Sequence, residues 1–412
     1  MPAALHPRFL LRRIQTALAD TPVVLINGPR QCGKSTLAMQ LAGPGRPYLT
    51  LDDPRVLAAA CADPLQFLLG LSGAVIDEIQ RAPDLLPALK HAVDTHRTPG
   101  RWVLTGSADL LAVPRVADSL AGRMEVLTLL PLSAAEVRGV EPRFLERVFD
   151  GVVPPPPGWP AHDRTALMDE VLTGGYPPMR LRSQPERRRA WAQAYLRAVV
   201  ERDVRDIADV HRLDLMPRLL RAAAAQAGQI TNYAALGAAL SLDEKTARRH
   251  LGLFETLFLL RRLEPWHRNE LSRLVKTPKL HFLDSGLLAA LKGIDAGRLA
   301  ADRTPYGVLM ETWVGAELRR QMSWRDEPLR LSYLRTKDQH EVDYVLERDD
   351  GALVGIEVKA GATVRGSDFD GLRWLARAAG TDLRLGLVLY DGELALPFGD
   401  RLWAVPVTCL LG

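Results

Sequence analysis

TPVVLINGPRQCGKST, residues 21–36, is the stretch that decides the fold. Its first half, Val23-Val-Leu-Ile-Asn27, is short, apolar and rich in β-branched side chains, with Pro22 before it and Gly28 after it. A run without polar alternation reads as a strand buried on both faces of a parallel sheet. GPRQCGKST follows at once, and then Leu37-Ala-Met-Gln-Leu41, whose apolar residues have helical spacing. Strand, glycine loop and helix form the setting in which G-x-x-x-x-G-K-[ST] cradles phosphate. Gly28 and Gly33 let backbone N–H groups turn inward, and the helix N-terminus adds partial positive charge. Gly28, Pro29, Arg30, Gln31, Cys32, Gly33, Lys34, Ser35 and Thr36 are therefore expected to hold a nucleotide. Lys34 would reach the β- and γ-phosphates, and the Ser35 hydroxyl would ligate magnesium. ATP and Mg2+ are the expected cofactors.

Outward from this loop, Gly73-Ala-Val-Ile-Asp77 reads as a second strand ending in Asp77-Glu78. Carboxylates delivered at a strand's C-terminal end lie on the edge where parallel sheets bind ligands. Asp77 is expected to hold the magnesium and Glu78 to orient the attacking water. A third strand, Trp102-Val-Leu-Thr105, runs into Gly106-Ser107, which places a polar side chain near the γ-phosphate. Residues 113–120 read as helix, and Gly122-Arg123 opens a strand over 124–129. Arg123 has two readings: a solvated arginine at a turn, or an arginine that reaches the γ-phosphate of a neighbouring subunit.

The series GPRQCGKST, TLDDP, VIDEIQRAPDLLPALK, LTGS and SLAGRMEVLTLLPLS resembles the AAA-type ATPases of bacteria and archaea that carry a nuclease-like C-terminal domain. The likeness continues through GGYP, PKLHFLDSGLL and EVDYVL…IEVKAG, and so runs over nearly the whole chain. The resemblance implies an AAA+ fold, with Ser107 near the sensor-1 position and Arg123 near the arginine-finger position. It also implies hydrolysis sites formed between subunits of a homo-oligomer. Cys32 departs from the small aliphatic residue expected in the loop, with no consequence for phosphate binding.

Composition sets the bounds. At 412 residues the chain exceeds one ordinary core, and 47% apolar with 25% charged residues describes an ordered protein. No stretch approaches the ~18 apolar residues of a spanning helix, and Met1-Pro-Ala-Ala-Leu-His6 lacks the basic-then-apolar order of a secretory leader. Cytoplasmic residence without a membrane partner is the expectation. Cys32, Cys61 and Cys409 show no zinc or redox spacing. The net charge is only +4, and of 53 basic residues eight are lysine. Two of those eight, Lys34 and Lys359, fall where a motif requires an ammonium.

In the middle of the chain, GVVPPPPGWP (residues 151–160) reads as a stiff linker or surface loop. Residues 163–172 are helical in pattern and end at Gly174-Gly175-Tyr176-Pro177, either a helix stop or a turn that brings Pro177 to the nucleotide. Residues 187–210 read as a long helix whose acid–base pairs, such as Glu201 with Arg205, suit a solvated face. Beyond it, helix over 232–240, a break at Ser241-Leu242, helix over 243–254 and an extended segment over 257–263 follow winged helix-turn-helix order. Ser241 is placed to cap the second helix, with Glu244 three residues on as a capping box. Lys245, Arg248 and Arg249 share its outward face, as DNA contact needs, although such modules also dock proteins.

The C-terminal constellation is Asp343, Glu357 and Lys359. HEVDYVLE (340–347) and ALVGIEVK (352–359) read as strands joined at Asp349-Asp350-Gly351, a three-residue hairpin with glycine in the left-handed place. Counting outward from Arg348 and Ala352 sets Asp343 against Glu357, and Glu357 and Lys359 share a face. A divalent cation held by Asp343 and Glu357 would relieve their repulsion, and Lys359 beside them would orient or deprotonate water. This is the pattern of PD-(D/E)xK nucleases, and GIEVKAG resembles the Holliday-junction-resolvase branch. That resemblance implies a helical glutamate, matched by Glu311 in Gly307-Val-Leu-Met-Glu311, with Glu317 as the nearby alternative.

The expected architecture is an α/β AAA+ P-loop parallel-sheet domain (1–131), a helical lid (132–215), a winged helix (216–265) and a restriction-endonuclease-like α/β domain (266–412). The expected activity is ATP hydrolysis coupled to DNA processing or remodelling. The alternative is an ATP-gated regulatory scaffold that cuts nothing.

Overall fold

A computed structural model describes residues 5–107, 120, 122–154, 163–207, 212–268 and 277–412. The helix expected over 113–120, the proline run of 151–160 beyond Pro154, and the end of the long helix at 208–210 lie outside the described residues, wholly or in large part. The chain divides into two compact units. One comprises residues 1–132 with 256–258 and 323–326, and the other comprises 133–255, 259–322 and 327–412. The divisions expected at 215/216 and 265/266 fall inside the second unit.

The first unit is built on β1 (Val23–Asn27), β2 (Tyr48–Thr50), β3 (Ala74–Asp77), β4 (Trp102–Gly106) and β5 (Met124–Thr128), in the order β2-β3-β4-β1-β5. All neighbours are parallel. Every residue of β1 is buried because both faces are covered. Val23 and Leu25 point into a core with Ile76, Leu85, Leu89, Trp102 and Leu104. Val24 and Ile26 point the other way, into a core with Leu10, Ile14, Leu37, Val75 and Val103. That alternation is the two-residue period of a strand, so an unbroken apolar run feeds two cores at once. Because β4 lies between β1 and β3, its C-terminal end enters the space between the phosphate loop and Asp77.

The second unit begins with helices. Asp163 caps the helix Arg164–Thr173 by accepting from the N–H groups of Thr165 and Ala166. The next long helix is α-helical over Pro185–Ala198, then widens to a π-helical turn over Val199–Asp203. The helices Tyr233–Ala238 and Glu244–Thr256 are followed by β6 (Leu260–Leu263), which pairs antiparallel with β7 (Lys279–Phe282). The cap expected at Ser241 is corrected. Ser241 adopts φ 56° in the turn, and Asp243 is the capping residue, accepting from the Thr246 N–H at 2.8 Å. An aspartate next to the first helical turn reaches that N–H directly.

The C-terminal sheet has six strands: β8 (Leu329–Arg335), β9 (Glu341–Arg348), β10 (Leu353–Lys359), β11 (Leu383–Tyr390), β12 (Leu396–Gly399) and β13 (Leu402–Pro406), ordered β12-β13-β11-β10-β9-β8. β8, β9 and β10 form an antiparallel meander, while β10–β11 and β11–β13 are parallel. The helix Asp370–Ala379 buries Leu372 and Leu375 in a core with Val342, Val345 and Val388. Gly351 closes the β9–β10 hairpin with φ +86°, and its ladder pairs Leu353 with Glu347 through Ile356 with Tyr344.

Candidate functional site

At the C-terminal edge of the first sheet the backbone turns away from β1 at Gly28. Its φ is +145°, and a Cβ there would lie 2.1 Å from the Leu129 carbonyl oxygen, so only glycine fits. Gly33, with φ +104°, opens the helix Lys34–Gln40. Lys34 is 4% exposed and curls across the loop, donating to the carbonyls of Gly28 (2.9 Å) and Pro29 (2.8 Å). Those carbonyls hold the ammonium where incoming phosphate oxygens would compete for it. Arg8 braces the loop from outside, donating to the carbonyls of Cys32 (2.7 Å) and Leu130 (2.6 Å). Cys32 is buried, with Sγ 3.3 Å from the Leu129 carbonyl oxygen.

Asp77 is the hub of the polar edge. Its Oδ1 accepts from Ser35 Oγ (3.1 Å) and Thr105 Oγ1 (2.5 Å), and its Oδ2 accepts from the Tyr48 hydroxyl (2.7 Å). Burial, and then the bond to Asp77, push the Tyr48 phenol well above its usual range. Adjacent Ser35 and Asp77 oxygens are hard ligands, which fit magnesium. Glu78 has φ 62°, unusual for a non-glycine residue, and its N–H donates to Thr105 Oγ1 at 2.9 Å. Its carboxylate accepts from the Gln80 amide, which also donates to Ser107 Oγ at 2.9 Å. Lys34, Ser35, Asp77, Glu78 and Ser107 therefore converge on one edge.

Arg123 stands apart from that edge in this chain. Its Nε and Nη2 donate to the two carboxylate oxygens of Asp94, at 2.5 and 3.1 Å. The bond from Arg123 holds the Asp94 carboxyl below its ordinary range. In this chain Arg123 is a partly exposed arginine at a turn that pairs with Asp94, and this leaves both readings of it open.

In the second unit, the Gly174-Gly175 turn belongs to a buried ionic network. Gly175 N–H donates to Asp284 Oδ2 (2.7 Å), and Asp284 also accepts from Arg320 Nη2 (3.0 Å) and the Leu287 N–H (3.0 Å). Arg320 Nη1 donates to Glu317 Oε1 at 2.6 Å. Glu317, fully buried, accepts from the Ala134 N–H with both oxygens, each at 3.2 Å. Glu317 thus serves the start of the helix Ala134–Arg138, and Glu311 is the helical glutamate near the C-terminal carboxylates.

The ladder ends at Ile356 and Tyr344, and just beyond it side-chain bonds bring Glu357 beside Asp343. Asp343 Oδ2 accepts from the Val358 N–H (2.9 Å), and Glu357 Oε2 accepts from the Asp343 N–H (3.3 Å). Lys359 Nζ donates to Glu357 Oε1 at 2.9 Å. Sequence reasoning missed Lys279, which enters from β7 with 1% side-chain exposure. Its Nζ pairs with Glu341 and lies 3.4 Å from Asp343 Oδ1 and 3.7 Å from Glu311 Oε1. Burial pushes the Lys279 ammonium down, and the charges of Asp343, Glu311 and Glu341 more than reverse it, leaving its pKa raised. Burial and then Asp343 raise Glu311 well above the carboxylate range, and the same two causes push Glu357 up to about 8. Among the described residues, no group of three or more His, Cys, Asp or Glu side chains is arranged to hold a metal ion. The signal that could have found Lys279 is a lysine inside the apolar stretch KLHFL, since lysine is almost never fully buried unless paired.

Lys245, Arg248 and Arg249 are exposed on the helix Glu244–Thr256, whose opposite side buries Ala247, His250, Leu251 and Phe254. Arg248 is 3.6 Å from Glu244 and lies over the Tyr233 ring, 4.5 Å from its centroid. No helix among the described residues is long and apolar enough to cross a membrane.

A parallel sheet with this loop and these carboxylates defines an AAA-type P-loop ATPase domain, and residues 20–138 match the AAA domain family. Residues 164–298 and 306–410 match two domains of unknown function, DUF8612 and DUF4143. The chain is 34% identical over 403 residues to the uncharacterized proteins Rv2008c of Mycobacterium tuberculosis and Mb2031c of Mycobacterium bovis, covering 97% of this chain and 83% of each relative. It belongs to the family of these mycobacterial proteins. Among solved structures, the Walker-type ATPase of Pyrococcus abyssi aligns with a TM-score of 0.41 at 14% identity, covering 70% of this chain and 99% of that one. An assembly of Thermococcus gammatolerans McrB AAA+ hexamers with bound McrC aligns with a TM-score of 0.22 at 13% identity, covering 69% and 74%.

Proposed function

We propose that the protein binds and hydrolyses ATP at residues 28–36 and couples turnover to DNA through the helix Glu244–Thr256. The convergence of Lys34, Ser35, Asp77, Glu78 and Ser107 on one sheet edge carries the first half of this reading. Lys34 gives charge to the β- and γ-phosphates. Ser35 and Asp77 hold the magnesium, which supplies charge neutralisation at the phosphates when bound. Glu78, set by Thr105 and Gln80, orients water and accepts its proton at the carboxylate. Arg123 acts across a homo-oligomer interface after leaving Asp94.

The DNA half rests on three exposed cationic side chains on one helix face, followed by the antiparallel strand pair β6–β7. Fluorescence anisotropy with a labelled duplex tests it. Replacing Lys245, Arg248 and Arg249 together by alanine should weaken binding at least tenfold and lessen its salt dependence. Equal binding by the triple variant removes DNA contact from that helix.

The second reading, an ATP-gated scaffold whose C-terminal domain cuts nothing, is favoured by the position of Lys279 among the carboxylates. Plasmid incubated with Mg2+ or Mn2+ tests whether the C-terminal domain cuts. Cleavage that disappears in Asp343→Ala supports nuclease chemistry at Asp343, Glu357, Lys359 and Glu311, and intact plasmid supports a C-terminal domain that cuts nothing.

A further inference from the structure

The carboxylate pair on β9 and β10 can be counted oxygen by oxygen. Asp343 Oδ2 takes the Val358 N–H, and Glu357 Oε2 takes the Asp343 N–H. Glu357 Oε1 takes the Lys359 ammonium, and Asp343 Oδ1 faces the Lys279 ammonium. All four oxygens therefore face nitrogen donors. A divalent ion needs several oxygen lone pairs directed at it within ~2.0–2.6 Å. An ammonium 3.4 Å from Asp343 Oδ1 and 3.7 Å from Glu311 Oε1 already stands where such an ion would bridge these two residues.

Lys279 is held there from several sides. It pairs with Glu341, and its Nζ lies 5.5 Å from the centre of the Tyr333 ring. Gly228 approaches from behind the cluster: a Cβ on it would lie 2.8 Å from Glu311 Oε2. The Gly228 N–H donates to the Leu280 carbonyl at 2.8 Å, next to Lys279 in β7. A buried ammonium surrounded by carboxylates and an aromatic face is a satisfied cation.

We infer that Lys279 is the resident cation of the C-terminal carboxylate cluster, occupying the place of a divalent metal ion and latching the β6–β7 strand pair to the six-stranded sheet. The protein then carries a nuclease-like carboxylate arrangement closed by its own side chain. Removal of that side chain opens a cation site among Glu311, Glu341 and Asp343.

Mn2+ binding followed by electron paramagnetic resonance on the full chain without nucleotide tests this inference, and the absence of nucleotide makes the result independent of the ATPase reading. Wild type and Asp343→Asn should bind Mn2+ identically, with no site that the substitution removes. Lys279→Met should gain a site at least tenfold tighter than anything in wild type, and Lys279→Met with Asp343→Asn should lose it again. Lys279→Arg should behave as wild type. Mn2+ binding in wild type that Asp343→Asn abolishes overturns the inference, and so does a folded Lys279→Met protein with no gain. If Lys279→Met fails to fold, the comparison of wild type with Asp343→Asn decides by itself.

Discussion

Thr105→Val should damage both the stability and the turnover of the ATPase domain. Thr105 has no exposed surface, and its one hydroxyl serves two partners. It donates to Asp77 Oδ1 at 2.5 Å and accepts the Glu78 N–H at 2.9 Å. Valine keeps the shape and removes both bonds. A buried N–H left without a partner costs about 1–3 kcal/mol, and a lost bond to a charged group about 1.5–3 kcal/mol. Asp77 keeps Ser35 and Tyr48, so the second contribution lies at its low end, and the total is about 3 kcal/mol. For a domain of this size that corresponds to a fall of about 10 °C in melting temperature. The Glu78 backbone, at φ 62°, also loses the bond that holds it. A catalytic carboxylate misplaced by ~1 Å costs ~100-fold in turnover. The KM for ATP should change little, because Thr105 makes none of the bonds that fix Lys34. Differential scanning fluorimetry and steady-state ATPase kinetics, with Thr105→Ser as control, provide the assay. A valine variant melting within about 2 °C of wild type and turning over within about threefold of it would refute the reasoning.

Glu317→Ala should destabilise the second unit by about 2–4 kcal/mol, because it takes one of two carboxylates from the buried Arg320, which keeps Asp284, and leaves the Ala134 N–H without its acceptor. Urea unfolding checks this, and a change below about 1 kcal/mol contradicts a structural role for that network. Mixing Arg123→Ala with Lys34→Ala protein should restore part of the ATPase activity at mixed interfaces. A mixture that co-assembles on a sizing column yet stays inactive removes Arg123 from a role across subunits and leaves its pair with Asp94 as a surface contact.

The parts of this fold legible in the sequence were those with a local signature. Val23 to Asn27 could be read because a strand buried on both faces leaves no polar alternation, and Gly28 and Gly33 because the loop requires their backbone angles. The β9–β10 register followed from the position of Gly351 by counting. What escaped was set by contacts between distant segments. Tyr48 reaches Asp77 across 29 positions and Lys279 reaches Asp343 across 64, and neither separation produces a periodic pattern. Thr105 was legible as a strand residue, but its hydroxyl acquires two partners only because β4 lies beside β3. The helix stop at Gly174 was legible from its glycines, but the bond from the Gly175 N–H to Asp284, more than a hundred residues away, had no local signal. At the start of the helix Glu244–Thr256 the cap expected at Ser241 falls two residues later: Ser241 lies in a left-handed turn, and the bond goes to Asp243, which the sequence pattern counts as helical.

The measurement that tests the central claim most directly is single-turnover hydrolysis of γ-labelled ATP by wild type and Glu78→Gln, read beside nucleotide binding by equilibrium dialysis. Glutamine keeps the size of Glu78 and leaves Asp77 and Ser35 to hold magnesium. Wild type should release phosphate in a magnesium-dependent reaction. Glu78→Gln should bind ATP within a few-fold of wild-type affinity and retain it uncleaved, with hydrolysis slowed at least ~100-fold. Phosphate release from Glu78→Gln at the wild-type rate, or no ATP binding by wild type, would contradict the account.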